Sequence, residues 1–156
     1  MKAIRTIRCS SKRNGSEIIG EAAISLSRRM AMTVRAWGET VILSDGDVVF
    51  QPRKVERSGI FEAVDGRVLI YIHKEHELDD VERRYPADHY VLIDDKPRIL
   101  AAVKSAWGDR VTTVLPRQGQ FAHAPDASSY PVDLTVERIG DLLTVDLSVL
   151  SPDRQR

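Results

Sequence analysis

Two rhythms of apolar residues alternate along the chain. Unbroken runs at Thr40-Val41-Ile42-Leu43, Arg67-Val68-Leu69-Ile70-Tyr71-Ile72, Tyr90-Val91-Leu92-Ile93 and Val111-Thr112-Thr113-Val114-Leu115 read as strands buried on both faces. Elsewhere the spacing is helical. Ile19, Ala23, Leu26, Met30, Val34 and Trp37 recur at threes and fours, with Gly38 as a C-terminal stop. Gln51 to Ser58 is short and charged, with Pro52 at its start and Gly59 at its end. Glu77, Leu78, Val81 and Arg84 predict a helix that stops before Pro86, and Ile99, Val103, Ala106 and Trp107 predict one that begins near Pro97 and closes at Gly108. A polar loop from Arg117 to Ser129 precedes a short edge strand, Leu134-Thr135-Val136, and a helical turn through Leu142. Strand and helix in alternation give right-handed β-α-β units, so the expected class is α/β with a mostly parallel sheet.

Length and composition narrow the setting. The 156 residues suit one domain with a real core, and 29% charged against 42% hydrophobic residues is an ordinary globular balance. Zero formal net charge gives the whole chain no electrostatic case for nucleic acid. The single cysteine, Cys9, excludes an internal disulfide and a cysteine-based zinc cluster, and suits a reducing, cytoplasmic compartment. No apolar run approaches the roughly 20 residues that span a bilayer. The neutral total conceals a split, however. Residues 1–37 hold eight Lys or Arg against Glu17 and Glu21, so the remainder is net negative by the same six charges. Residues 1–16 are basic and Ser-rich, with Asn14-Gly15 as a turn signal, and are expected to form a poorly ordered arm or a targeting segment. The core is expected over 17–143, with a tail from 144 to 156.

Candidate chemistry gathers at strand ends. Asp94-Asp95 follows the run Tyr90 to Ile93 and precedes the proline that opens a helix. In a parallel sheet that edge is where ligands bind. Adjacent carboxylates there repel each other and favour a cation, although Asp95 is also a reasonable helix cap. Ser44 and Lys74 fall at two other predicted strand ends. A hydroxyl, an ammonium and paired carboxylates are the parts that hold a phosphate with a magnesium ion. His73 and His76 lie three apart without a third ligand nearby, which argues against zinc, and His89 and His123 stand alone.

These segments resemble the carboxyl-terminal half of the haloacid dehalogenase (HAD) superfamily of hydrolases. Val41-Ile42-Leu43-Ser44-Asp45-Gly46-Asp47 is similar to that family's second motif, Lys74 falls where its third-motif lysine is expected, and Val91-Leu92-Ile93-Asp94-Asp95 resembles its acidic fourth motif. Gln51 to Ile60 resembles the helix after the second motif, Arg110 to Val114 the last regular strand, and Leu134 to Leu143 the usual ending. The resemblance implies a three-layer Rossmann-like (HAD-like) sheet and Mg2+-dependent phosphoester hydrolysis of a small phosphorylated metabolite. Within it, Ser44 and Lys74 would bind phosphate, and Asp94 and Asp95 the metal. It also implies an Asp-x-Asp motif on a central first strand, one aspartate attacking phosphorus and the other serving as acid and base. No aspartate precedes Asp45. Asp45-Gly46-Asp47 supplies the spacing, but then no hydroxyl-bearing strand end stands between it and the lysine. The expectation is a truncated or frame-altered member, impaired in catalysis, with a sheet incomplete at its centre unless Ala3 to Cys9 fills it.

Two other readings compete. Tyr90 to Leu100 also resembles the first strand and helix of a receiver domain, with Asp141 to Leu147 as the strand bearing a phosphorylated Asp146. Clustered positive charge in residues 1–37 alternatively suggests a non-catalytic α/β domain whose basic arm binds an acidic partner.

Overall fold

The computed structural model describes residues 3–7, 38–45, 60–118, 121 and 129–145. Six parallel strands form one sheet: β1 (Ala3–Ile7), β2 (Glu39–Asp45), β3 (Val68–Tyr71), β4 (His89–Ile93), β5 (Val111–Pro116) and β6 (Leu134–Val136), in the spatial order β3-β2-β1-β4-β5-β6. Helices α1 (Ile60–Ala63), α2 (Leu78–Arg84) and α3 (Pro97–Trp107) connect them, with 3-10 turns at Lys74–His76, Gly108–Arg110 and Ile139–Leu143.

Continuous apolar runs become doubly buried strands because successive side chains point to opposite faces. Val41, Leu43, Leu69, Tyr90, Leu92, Val111 and Leu115 pack on one face with Leu78 and Val81 of α2 and Ile99, Leu100 and Val103 of α3. Ile42, Val91, Ile93, Val114 and Val136 pack on the other with Ala63, Val64 and Leu142. These are the three layers that the family resemblance implied, built on the parallel sheet that the strand and helix rhythm predicted.

The centre of the sheet is filled, which corrects the expectation of a gap there. β1 pairs in parallel with β2, Ile7 opposite Ile42, and with β4, Ile7 opposite Ile93. Without it the inner edges of β2 and β4 would each leave a row of backbone groups unpaired in the interior, which folded chains rarely tolerate. Residues 3–7 of the stretch expected to be an arm are therefore the middle of the fold. The helix expected between Ile18 and Trp37, the segment Gln51 to Ser58, Cys9 and most of the tail lie outside the described residues.

Local signals placed the remaining elements closely. Pro97 opens α3, where its missing N–H costs nothing. The turn between α1 and β3 depends on glycine: Gly66 has φ +73°, and a Cβ there would sit 3.1 Å from the Phe61 ring. The following Arg67 reaches back to the Thr40 carbonyl of β2 at 3.0 Å, tying turn to sheet. Residues 139–143 form a 3-10 turn, not the strand that a receiver reading of Asp141 to Leu147 requires, and Asp146 itself lies outside the described residues. No helix among the described residues is long and apolar enough to cross a membrane.

Candidate functional site

Because all six strands run parallel, their carboxyl ends share one edge, and β2, β3 and β4 deliver Ser44, Lys74 and Asp94 to it. Ser44 lies one residue before the end of β2 and is 1% exposed. Lys74 lies just beyond the end of β3, on a 3-10 turn, fully buried. Asp94 follows directly from Ile93 and is 1% exposed.

Lys74 and Asp94 meet. The Lys74 ammonium donates to Asp94 Oδ2, both side chains being withdrawn from solvent, and Nζ also lies 3.4 Å from the Leu43 carbonyl, the peptide before Ser44. The other carboxylate oxygen, Oδ1, accepts the Lys96 backbone N–H at 2.9 Å. A buried pair of this kind persists because each ion neutralises the other and finds further hydrogen bonds; taking one away strands its partner in a medium that solvates it poorly. The cap expected at Asp95 falls elsewhere. Lys96 is the N-cap of α3 and makes no side-chain cap bond, while Asp94 Oδ1 accepts the N–H of this N-cap residue itself. Asp95 stands half-buried at the mouth.

Around this pair the rim is mixed in character. Lys96 Nζ sits 5.2 Å from the centroid of the Phe121 ring, a cation–π distance. Arg98 reaches Glu75 at 3.2 Å. His73 and His76 are exposed, with ring centroids 5.6 Å apart. Among the described residues no three His, Cys, Asp or Glu side chains gather to hold a metal. Asp45 ends β2, but its side chain, like Asp47 and His123, lies outside what is described. Sequence reasoning missed Glu75, Arg98 and Phe121 as neighbours of the site, because single charged or aromatic residues in a helix start or loop carry no periodic signal.

Away from the rim, two polar features fix the sheet. His89 Nε2 shares a 2.9 Å hydrogen bond with Thr112 Oγ1, and burial pushes its imidazole below the ordinary value, a backbone interaction with Asp109 working against it. Burial pushes the Asp133 carboxyl up, yet the N–H of Thr113 at 2.7 Å, Lys104 at 3.0 Å and the Thr113 hydroxyl at 2.8 Å together hold it below the usual range.

Comparison with known proteins follows the same lines as the geometry. A protein from Burkholderia xenovorans LB400 described as a haloacid dehalogenase-like hydrolase is 55% identical, with a TM-score of 0.77 over 85% of this chain and 64% of its own. A haloacid dehalogenase-like family hydrolase from Xanthomonas campestris shares the fold, with a TM-score of 0.58 at 19% identity, over 81% of this chain and 57% of its own. The chain thus spans less than two thirds of either structure. No protein-family model matches it, and no curated protein does.

Proposed function

Because the chain belongs to the haloacid dehalogenase-like hydrolases, we propose that its strand-end rim binds a small phosphorylated metabolite together with Mg2+, and that these 156 residues turn it over poorly. The observation that carries the reading is the buried Lys74–Asp94 pair beside Ser44: an ammonium fixed at the parallel edge is a ready partner for anionic oxygens. Ser44 offers a hydroxyl to the same phosphoryl group. Asp94 and Asp95 are hard oxygen donors of the type magnesium takes, one or two carboxylates being completed by water and phosphate. When bound, the ion would neutralise charge on the phosphoryl oxygens. The protein's own residues do the rest: Lys74 orients the phosphate, Ser44 fixes it from the β2 side, and Asp94 keeps the ammonium in place.

Weak turnover is argued from the central strand. Ile7 of β1 is opposite Ile93, the residue before Asp94. In sequence, Ile7 is followed by Arg8-Cys9-Ser10-Ser11, with no carboxylate to attack phosphorus. Loss of a covalent nucleophile lowers turnover by about 10⁴ to 10⁶, more than bound phosphate restores. The test is an aryl phosphate assay with magnesium beside calorimetric binding of inorganic phosphate. Phosphate should bind, weaken at least about tenfold in the Ser44→Ala, Lys74→Met double variant, and yield no saturable hydrolysis. Saturable turnover abolished by Asp95→Asn would refute the claim of impairment; no phosphate binding under any metal condition would refute the site.

A further inference from the structure

We infer that the Glu75–Arg98 ion pair is a clamp that positions Lys74, coupling the turn that carries the ammonium to the helix that follows Asp94. The inference deepens the reading of the rim as a phosphate site and rests on it only for the affinity part of its test.

A clamp has a place to act because the turn is short and uncapped. Lys74 occupies a 3-10 turn of three residues, and its N-cap, His73, makes no side-chain cap bond. Turns of this length have poor hydrogen-bond geometry of their own. The turn follows β3, which among the described residues lies at the edge of the sheet and pairs with β2 alone. Ile72, between strand and turn, is 73% exposed, so apolar burial does not anchor the approach either. Yet the next residue but one is a lysine with no exposure at all, docked on a carboxylate of another strand.

The pair itself is asymmetric in a telling way. The Glu75 side chain is only 5% exposed, whereas that of Arg98 is 61% exposed. An exposed pair would contribute little, but a carboxylate withdrawn from water needs a partner, and the guanidinium reaches in from the rim to supply it. Arg98 also sits in the first turn of α3, directly after Pro97, where no acidic residue accompanies it. A cation at a helix N-terminus opposes the backbone dipole, so its placement there is explained by what it holds and not by the helix. Glu75 is the neighbour of Lys74 along the chain, and α3 begins two residues after Asp95. Fixing Glu75 to Arg98 therefore fixes the relative position of the two segments whose side chains form the buried pair. Glu75 and Arg98 are positioning residues.

The experiment compares the unmodified chain with Arg98→Met, Glu75→Gln and the conservative Arg98→Lys, with Arg83→Met as a control that removes an exposed pair with Asp80. Two quantities are read: hydrogen exchange of the Lys74 side-chain ammonium in 1H–15N spectra, and the dissociation constant of inorganic phosphate. Arg98→Met should speed ammonium exchange and weaken phosphate binding, each by about tenfold, with Arg98→Lys returning both to within about twofold and Arg83→Met changing neither. Should Arg98→Met fail to fold, Glu75→Gln, nearly isosteric and uncharged, is read in its place and is expected to act in the same direction. A lower melting temperature with unchanged Lys74 exchange would overturn the clamp and leave the pair a stability element. If the unmodified chain binds no phosphate, the phosphate reading fails, and the exchange rates alone decide the clamp: faster exchange in Arg98→Met supports it, unchanged exchange overturns it.

Discussion

Among single residues, Lys74 and Asp94 form a charged pair with 1% and 0% side-chain exposure. Lys74→Met leaves a buried carboxylate without its counter-ion and is expected to cost about 3–5 kcal/mol in urea unfolding. A Lys74→Met, Asp94→Leu double variant should recover much of that loss, because it removes the stranded charge as well. His89 contributes a different dependence, on pH. Its folded value is depressed chiefly by burial, so as the pH falls through the ordinary histidine value near 6.5 the unfolded chain binds a proton that the folded chain refuses. Stability contributed at this position is therefore full above that value and declines below it, levelling only under the folded value. In urea titrations followed between about pH 7 and pH 5, His89→Gln is expected to flatten that decline. Of these residues, Ser44, Lys74 and Asp94 were legible from the sequence because each follows an apolar run that ends abruptly in a polar group. His89 was not, since a histidine preceding a strand looks the same whether it is capped by solvent or folded inward onto Thr112.

At the scale of elements, periodicity located β2 to β6 and the helices α2 and α3 because both faces of the sheet are covered and the apolar runs are continuous, while the single turn of α1 was not read. Tyr90 to Ile93 and Val111 to Leu115 needed only their lengths and their bounding prolines and glycines to be read as strands. The failure was β1. Ala3-Ile4-Arg5-Thr6-Ile7 breaks the apolar run with arginine, and charge within a buried strand is normally avoided, so composition pointed to an arm where the structure has the middle strand. Pairing on two sides prevailed over composition. Thr6 pairs with Val41 on one side and Leu92 on the other, so Thr6→Pro removes an N–H from an interior ladder. It should lower stability by more than about 2 kcal/mol, seen as accelerated amide exchange in β2 and β4 together. β6 was legible as a short edge strand, but what fastens it was not: Asp133, which bonds Thr113 and Lys104, sits in a polar stretch with nothing to single it out.

For the whole molecule, the parallel sheet decides where function can lie, because it collects the ends of β2, β3 and β4 on one edge and leaves the opposite edge to turns. If that rim holds phosphate and magnesium together, the two should stabilise the fold jointly. With each at about a hundred times its dissociation constant, each ligand is expected to add roughly 2.7 kcal/mol to the free energy of unfolding. Differential scanning calorimetry with and without Asp95→Asn would check it, the variant losing the magnesium-dependent part of the rise and keeping the remainder.

The threading of the sheet has a consequence for how the chain is made. Residues 3–7 are made before either strand that flanks them, one partner being encoded at 39–42 and the other only at 89–93, the longest such wait among the described strands. Until translation has passed Ile93 the nascent segment has a vacant side, so slow or interrupted synthesis in that interval should expose it to chaperones and proteases more than any later stretch of the protein.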